Sequence, residues 1–254
     1  LVVKVLTGST KSSDRKILLN DLKNGSINLL IGTHAIFEQN VIFNNLGYAV
    51  IDEQHRFGVK QRSKIWEKNN PPPHVLIMTA TPIPRTLTMS LYGDLDLSII
   101  DELPPGRKDV ITVHRKDKNR LKVFGFIRDQ IKQGRQIYIV YPLIEESKKM
   151  DLKYLEDGLE SITREFDKEN YSIGVMHGRM RSSNKDIEMN NFLNGKIDIL
   201  ISTTVIEVGV NVPNASVMII ENAERFGLSQ LHQLRGRVGR GKYDSYCVLM
   251  TNDK

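Results

Sequence analysis

The sequence predicts an α/β protein built from two domains with parallel sheets. Short apolar runs alternate with segments in which apolar residues recur at helical spacing, the pattern of parallel strands joined by crossover helices. The alternation is interrupted at Leu103–Arg107, where two prolines and a glycine indicate a linker, and it starts again afterwards. We therefore expect one domain over residues 1–107 and a second over residues 108–254.

The first domain is predicted to hold four strands and a well-patterned helix. That helix carries Ile17, Leu18 and Leu22 on one face, is capped by Ser12–Asp14 and ends at Gly25. The predicted strands are Val2–Leu6, Ile27–Ile31, Tyr48–Ile51 and Val75–Met78.

The second domain repeats the alternation. Residues 145–170 are charged and poorly patterned, so they fit either a helical insertion or a loop. No short internal repeat is apparent in the chain. The predicted helices begin near Leu121 and end at Gly134, span Asn184–Leu193 and span Leu228–Arg235. The predicted strands are Ile111–Val113, Ile137–Tyr141, Ile173–Met176, Ile197–Ile201, Val217–Ile220 and Tyr246–Met250.

Composition narrows the class of protein. Hydrophobic residues make up 40% and charged residues 26% of the 254, as in soluble globular proteins, and no apolar run is long enough to span a membrane. The single cysteine, Cys247, excludes a disulfide framework and a zinc site, and it suits a reducing cytoplasm. The 36 basic and 30 acidic residues leave a net charge of +6, which favours polyanionic partners.

Two adjacent carboxylates, Asp52 and Glu53, directly follow the predicted strand Tyr48–Ile51. The carboxyl ends of parallel strands form the sheet edge at which ligands bind. An Asp there can hold Mg²⁺ on a nucleotide, and the next Glu can activate the attacking water. The alternative is a strand that runs into a solvated acidic turn.

Hydroxyl-rich strings follow two other predicted strands, at Thr79–Thr81 and Ser202–Thr204. Hydroxyls at a strand end can relay hydrogen bonds or bind phosphates, and ordinary turns are the alternative reading. A further string, Arg235–Gly241, holds three arginines and three glycines. Guanidinium groups bind phosphates in a forked geometry, so the string could bind phosphates. The alternative is that it forms a basic surface loop. The near match of Gly236–Tyr243 to a phosphate-binding P-loop fails because Tyr243 replaces the Ser or Thr and a strand follows.

Together and in this order, these strings resemble motifs II, III, V and VI of superfamily 2 helicases. Longer strings are similar to the RecG family of bacterial branched-DNA helicases, and transcription-repair coupling factors are the next most similar. The resemblance covers essentially the whole chain and implies two RecA-like parallel-sheet lobes, the first truncated at its N-terminus. The strings that carry it are Asp52–Val59, Thr79–Thr86, Tyr92–Arg107 and His177–Met180.

The resemblance implies an ATP-dependent DNA helicase or translocase that acts on forks and Holliday junctions in recombination and repair. ATP and Mg²⁺ are the implied cofactors, with Asp52 as the Mg²⁺ ligand through ATP, Glu53 as the base, and Arg237 and Arg240 as arginine fingers on the ATP phosphates. The implied nucleotide-binding or coupling residues are Gln54, His55, Thr79, Thr81, Glu207, Gly209 and Gln233. The implied DNA contacts are Thr7, Gly8, Ser9, Thr33, His34, Arg85, His177, Gly178, Thr203 and Thr204.

The family's P-loop and wedge domain do not occur in these 254 residues. We therefore expect the chain by itself to hydrolyse ATP weakly or not at all. A non-hydrolysing DNA-binding or interaction remnant is the alternative, and so is the motor fragment of a transcription-repair coupling factor. The partial first lobe would leave a sheet edge exposed and could self-associate. The expected location is the bacterial cytoplasm, in association with the nucleoid and without a membrane partner.

Overall fold

The computed structural model describes residues 1–53, 64–79, 96–102, 104, 107–142, 158–167, 170–203 and 211–252. The chain divides into two compact units, Leu1–Pro84 and Arg85–Lys254, which we call the first and second units. Residues 80–95, where this division falls, lie outside the described part. The boundary predicted after residue 107 stays a prediction.

The first unit contains two small parallel sheets. Strand β1 (Val3–Leu6) pairs with β2 (Leu29–Gly32), and β3 (Tyr48–Ile51) pairs with β4 (His74–Ile77). Helix α1 (Ser12–Lys23) connects β1 to β2 and packs its apolar face on them. The predicted α/β class and the predicted strands are confirmed here, with ends that differ by a residue or two.

The N-terminal cap predicted for α1 is wrong. Ser12 already lies inside the helix, and Lys11 occupies the capping position without a side-chain hydrogen bond to the helix. The predicted end at Gly25 is confirmed. Its φ of +77° lies in the left-handed region that glycine adopts without strain.

The second unit is built on one six-stranded, fully parallel sheet. Its strand order is β5-β10-β9-β6-β8-β7. The strands are β5 (Val110–Lys116), β6 (Gln136–Val140), β7 (Ile173–Met176), β8 (Ile199–Ser202), β9 (Ala215–Ile220) and β10 (Ser245–Thr251). The helices are α2 (Arg120–Lys132), α3 (Ser182–Leu193) and α4 (Leu228–Arg235), and residues 158–165 are also helical.

The three central strands, β6, β8 and β9, are buried along their whole length. Parallel sheets in α/β proteins are covered on both faces, which explains why these strands are continuous apolar runs rather than alternating ones. Tyr138 and Phe192 pack in the core on one face, and Phe124 and Phe166 pack in the core on the other. The sheet edge formed by the carboxyl ends of these strands is therefore held rigidly.

A strand–turn–helix–strand segment of the first unit recurs in the second unit, shifted by 170 residues. Residues 2–33 and 172–203 have the same sequence of secondary structure, residue for residue. Their backbone hydrogen bonds also match: Thr33 N–H donates to the Leu6 carbonyl (3.2 Å), and Thr203 N–H donates to the Met176 carbonyl (3.3 Å). No short repeat is expected from the sequence, and this correspondence is a longer one, of 32 residues, in secondary structure.

Cys247 lies buried in β10, as the sequence predicts. Burial raises the pKa of its thiol to about 12, and the positive charge of Arg235 opposes that rise only in part. The thiolate is the reactive form. Among the helices described, none combines the length and apolar character that crossing a bilayer requires.

We therefore expect Cys247 to react with a disulfide reagent about a thousandfold more slowly in the native chain than in the unfolded chain, since the thiolate fraction falls tenfold for each pKa unit. The measurement is the release of the chromophore from the reagent at pH 8, with and without urea. Equal rates in the two conditions would contradict the buried position of β10.

Candidate functional site

Asp52 and Glu53 lie directly after β3, at its carboxyl end, as the sequence predicts. Asp52 is exposed, and its Oδ1 accepts a hydrogen bond from the Glu53 backbone N–H at 2.9 Å. Glu53 is partly buried and has a φ of +49°, a left-handed conformation that is uncommon for a residue with a side chain. Strained backbone of this kind is concentrated at functional sites, where it aims a side chain.

Asp52 suits the Mg²⁺ role that the resemblance implies. Among the residues that the structure describes, no group of three His, Cys, Asp or Glu side chains could hold a metal ion. Mg²⁺ does not require such a group, because it keeps several waters and binds through one or two carboxylates together with substrate phosphates. An exposed carboxylate at a strand end, such as Asp52, matches that mode of binding.

Thr79 is exposed just beyond β4, one strand away from Asp52. Seven of the predicted site residues lie outside the described part of the chain, so their predicted roles stay predictions. They are Gln54, His55, Thr81, Arg85, Thr204, Glu207 and Gly209.

Two arginines of the second unit act electrostatically on the buried side chain of Tyr138. Burial raises the pKa of Tyr138 to about 12. The positive charges of Arg237 and Arg240 oppose that rise, because they favour the ionised form of the hydroxyl. The pKa of Arg240 is itself lowered, first by burial and then by the charges of Arg237 and Arg107. Like charges held this close raise each other's energy, so the cluster favours a polyanionic ligand.

The positions of these arginines depend on two glycines. Gly239 has a φ of +78°, and a Cβ there would come within 2.7 Å of Val110 Cγ2. A Cβ on Gly241 would come within 2.3 Å of the Pro213 carbonyl oxygen. The loop that carries Arg237 and Arg240 therefore packs its backbone directly against neighbouring segments, and a side chain at either glycine would displace it.

Gln233 is partly buried on α4, the helix that leads into this loop. Arg240 Nε donates to the Gly236 carbonyl at 3.1 Å, one residue beyond the helix end. The charges of Arg237 and Arg240 thus act on each other and on Tyr138, and their predicted role as arginine fingers stays a prediction. The structure also adds Arg107, which the sequence interpretation treated only as part of a linker.

The predicted DNA contacts fall on matching turns of the two copies of the repeat. In the first copy, Thr7 Oγ1 lies 2.9 Å from Ser9 Oγ, and Gly8 is exposed between them. In the second copy, His177 and Gly178 occupy the positions of Thr7 and Gly8. Each turn follows a parallel strand at its carboxyl end, where backbone and hydroxyl groups can bind phosphates.

The second pair of predicted contacts differs between the copies. Thr33 is exposed after β2 and precedes the helical turn His34–Phe37, whose first residue is also exposed. Its counterpart Thr203 is only 2% exposed, and its hydroxyl oxygen has no hydrogen-bond partner within the described residues. The role predicted for Thr203 stays a prediction, and its hydroxyl does not face solvent in this conformation.

Comparisons with known proteins agree with these features. Residues 1–90 match the DEAD/DEAH box helicase family, and residues 118–242 match the helicase conserved C-terminal domain family. The chain is 54% identical to the ATP-dependent DNA helicase RecG of Synechocystis over 100% of its own length and 30% of that protein. It is 49% identical to the Bacillus subtilis RecG over 99% of its own length and 37% of that protein.

A solved structure of RecG bound to a three-way DNA junction matches with a TM-score of 0.72 and 44% identity, and the match covers 100% of this chain and 32% of the solved one. The chain thus spans about a third of the length of the relatives that it matches. The RecA-like helicase fold expected for this α/β chain is confirmed by this likeness.

Proposed function

We propose that the chain is the motor part of a RecG-type superfamily 2 helicase, to which it is similar over its whole length, and that this motor uses ATP to act on branched DNA. The observation that carries the proposal is the cluster of Arg107, Arg237 and Arg240, whose mutual repulsion a triphosphate would relieve. The relative bound to a three-way junction supports branched DNA as the substrate. The proposed location is the bacterial cytoplasm, with the nucleoid.

In this proposal the carboxylates of the first unit and the arginines of the second unit have the roles in ATP hydrolysis that the resemblance implies. Glu53, whose backbone is in the left-handed conformation, accepts a proton from the attacking water. Asp52 would hold Mg²⁺, which would supply positive charge that offsets the charge of the ATP phosphates. Arg237 and Arg240 stabilise the charge that develops on the transferred phosphoryl group.

The matching turns of the repeat would bind the DNA backbone. Both place a glycine and polar groups at the carboxyl end of a strand, followed by a helix of the same length. Contacts of this kind position a strand without reading its sequence, as a motor that moves along DNA requires. The alternative function is a DNA-binding or interaction module that does not hydrolyse ATP.

A chimera tests the motor proposal. This chain would replace the matching 30% of the Synechocystis RecG, to which it is 54% identical. We expect the chimera to hydrolyse ATP and to be stimulated by a three-way junction, whereas the 254-residue chain alone should turn over little or no ATP. A folded chimera that binds the junction without hydrolysing ATP would favour the non-hydrolysing alternative.

We expect Gly8→Asp to weaken the binding of forked duplex DNA to this chain about tenfold at low salt, about 1.4 kcal/mol, because a carboxylate would face a phosphate. The side chain has room, since nothing lies within 4 Å of a Cβ at Gly8. Gly47→Asp is the matched control, being equally open and in the same unit. Filter binding over a salt series measures both, and equal losses would remove Gly8 from the DNA interface.

A further inference from the structure

A partly buried lysine of the first unit, Lys68, fastens the loop that follows one of the predicted DNA contacts. Its ammonium donates to the carbonyl oxygens of Glu38 and Val41 at 2.8 and 2.7 Å. The same Glu38 carbonyl accepts the backbone N–H of Val41 at 3.2 Å, which closes the loop as a turn. Lys68 therefore holds the backbone of residues 38–41, which we call the clamped loop, at both of its ends.

The surroundings of Lys68 are unfavourable for an ammonium without partners. Burial lowers the pKa of Lys68, and the positive charge of Lys64 lowers it further. Lysine is almost never buried unless its charge is paired, and hydrogen bonds from a charged donor are stronger than those between neutral groups. The two carbonyl oxygens thus compensate for the water that the ammonium has lost, and Lys68 and the clamped loop stabilise each other.

The clamped loop is connected to both sets of predicted DNA contacts in the first unit. Glu38 Oε2 accepts a hydrogen bond from Arg15 Nη2 at 2.5 Å. Arg15 lies in α1, the helix that follows the turn Thr7–Ser9. Thr33 and the helical turn His34–Phe37 lie directly before the clamped loop. One set of contacts is therefore joined to the loop by an ion pair, and the other is joined to it along the chain.

Lys68 also belongs to the segment that packs against the end of β3, where Asp52 follows. Its backbone N–H donates to the carbonyl oxygen of Ile65 at 3.2 Å. Ile65 is buried in one small apolar cluster with Phe37 and with Ile51, the last residue of β3. The side chain of Lys68 and this cluster thus join the clamped loop to the carboxylate end of β3 by two separate sets of contacts.

We propose that Lys68 is a positioning residue through which DNA bound to the first unit controls ATP hydrolysis. DNA at the turn Thr7–Ser9 or at Thr33 shifts the clamped loop, and Lys68 transmits the shift to the end of β3 and its two carboxylates. Energetic coupling of this kind travels through hydrogen-bond networks and packed side chains. This inference rests on the proposed function and goes beyond it by naming a residue that acts between the two sites.

The test uses the chimera of this chain with the Synechocystis RecG and the variant Lys68→Met, which removes the ammonium and keeps an unbranched side chain. The measured quantity is the stimulation ratio, which is kcat with a saturating three-way junction divided by kcat without DNA. We expect Lys68→Met to lower this ratio about tenfold, within the range by which residues between coupled sites change coupling. The KM for ATP and the kcat without DNA should stay within about twofold, because Lys68 acts only on the response to DNA.

The stimulation ratio separates positioning from a purely structural role. A variant that only destabilised the fold would lower the amount of active enzyme, and the rates with and without DNA would then fall by the same factor. The matched control is Lys64→Met, which removes the same charge four residues earlier in the same segment. It should leave the ratio within about twofold, since the hydrogen bonds to the clamped loop come from Lys68.

Amide hydrogen exchange in this 254-residue chain measures the clamp itself. In Lys68→Met the N–H of Val41 should exchange about tenfold faster, because the loop that holds its acceptor opens more often. The N–H of Asn24, which donates to the Asn20 carbonyl at the end of α1, should not change. If Lys68→Met does not fold, Lys68→Gln replaces it with the same expected results, because its neutral amide is one atom shorter and cannot hold both carbonyls.

Three results would overturn the role of Lys68 and leave the proposed function intact. The first is a Lys68→Met chimera that keeps the stimulation ratio of the parent, and this includes equal losses of both rates. The second is a Lys64→Met chimera that loses the ratio to the same extent. The third is unchanged exchange at Val41. A parent chimera that hydrolyses no ATP would instead contradict the proposed function, and this inference with it, so the two failures are distinguishable.

Discussion

Arg240→Ala is expected to slow junction-stimulated ATP hydrolysis by the chimera about a thousandfold, because an arginine finger contributes about 10³ to 10⁵ to the rate of phosphoryl transfer. The loss should appear in kcat rather than in KM, since the guanidinium acts on charge that develops in the transition state. Steady-state ATPase assays with and without a three-way junction measure it.

The control is Arg115→Ala, which removes an exposed arginine of the same unit that lies on strand β5. It should leave kcat within about twofold of the starting rate, in the range expected for a surface change. Glu53→Gln should be as slow as Arg240→Ala while ATP and junction binding persist. An Arg240→Ala chimera with normal kcat would remove the arginine cluster from the catalytic site and with it the main support for the proposed function.

Arg120→Ala is expected to destabilise the second unit by about 3 kcal/mol. Its Nη1 and Nη2 donate to the two carboxylate oxygens of Glu221 at 2.8 and 2.9 Å, and the Glu221 side chain is only 5% exposed. Removing the arginine would leave a buried carboxylate without this partner, a change that costs about 3 to 5 kcal/mol when both charges are buried. Arg120 is 31% exposed, so we expect the lower end of that range.

The double variant Arg120→Leu with Glu221→Leu should regain most of this stability, because replacing both charges leaves none unpaired. Urea unfolding followed through the Cys247 thiol measures the second unit. Fluorescence of the chain's single tryptophan, Trp66, measures the first unit and should not change. A single variant as stable as the parent would show that water reaches Glu221 freely.

The strands were predictable because they are continuous apolar runs, which burial on both faces explains for β6, β8 and β9. Tyr48–Ile51 and Ile173–Met176 were predicted with the bounds that the structure gives. The cap of α1 was not predictable from residue type. Serine is the favoured capping residue, yet Ser12 lies inside the helix and Lys11, which makes no capping hydrogen bond, precedes it. The shift of the cap from Ser12 to Lys11 is a backbone property that composition does not encode.

The candidate site was predictable where its residues are adjacent in sequence, as for Asp52 with Glu53. The charge of Arg107 lowers the pKa of Arg240 across a long separation in sequence, and this influence could only be found from the folded second unit. The burial of Thr203 could not be inferred from its exposed counterpart Thr33, because the second copy of the repeat packs into a six-stranded sheet and the first into a two-stranded one.

Because the segment occurs twice, the local stability of its two copies can be compared within one molecule. Helices α1 and α3 have the same length, the same preceding turn and the same hydrogen-bond pattern. However, α1 belongs to a two-stranded sheet and α3 lies at the edge of the six-stranded sheet. Asn24 and Asn194 each donate a backbone N–H to the carbonyl oxygen four residues earlier, at 3.0 Å. One hydrogen-exchange experiment measures the free energy of local opening at both amides. Their difference measures the combined effect of the larger sheet and of the different buried side chains, Leu22 in α1 and Phe192 in α3.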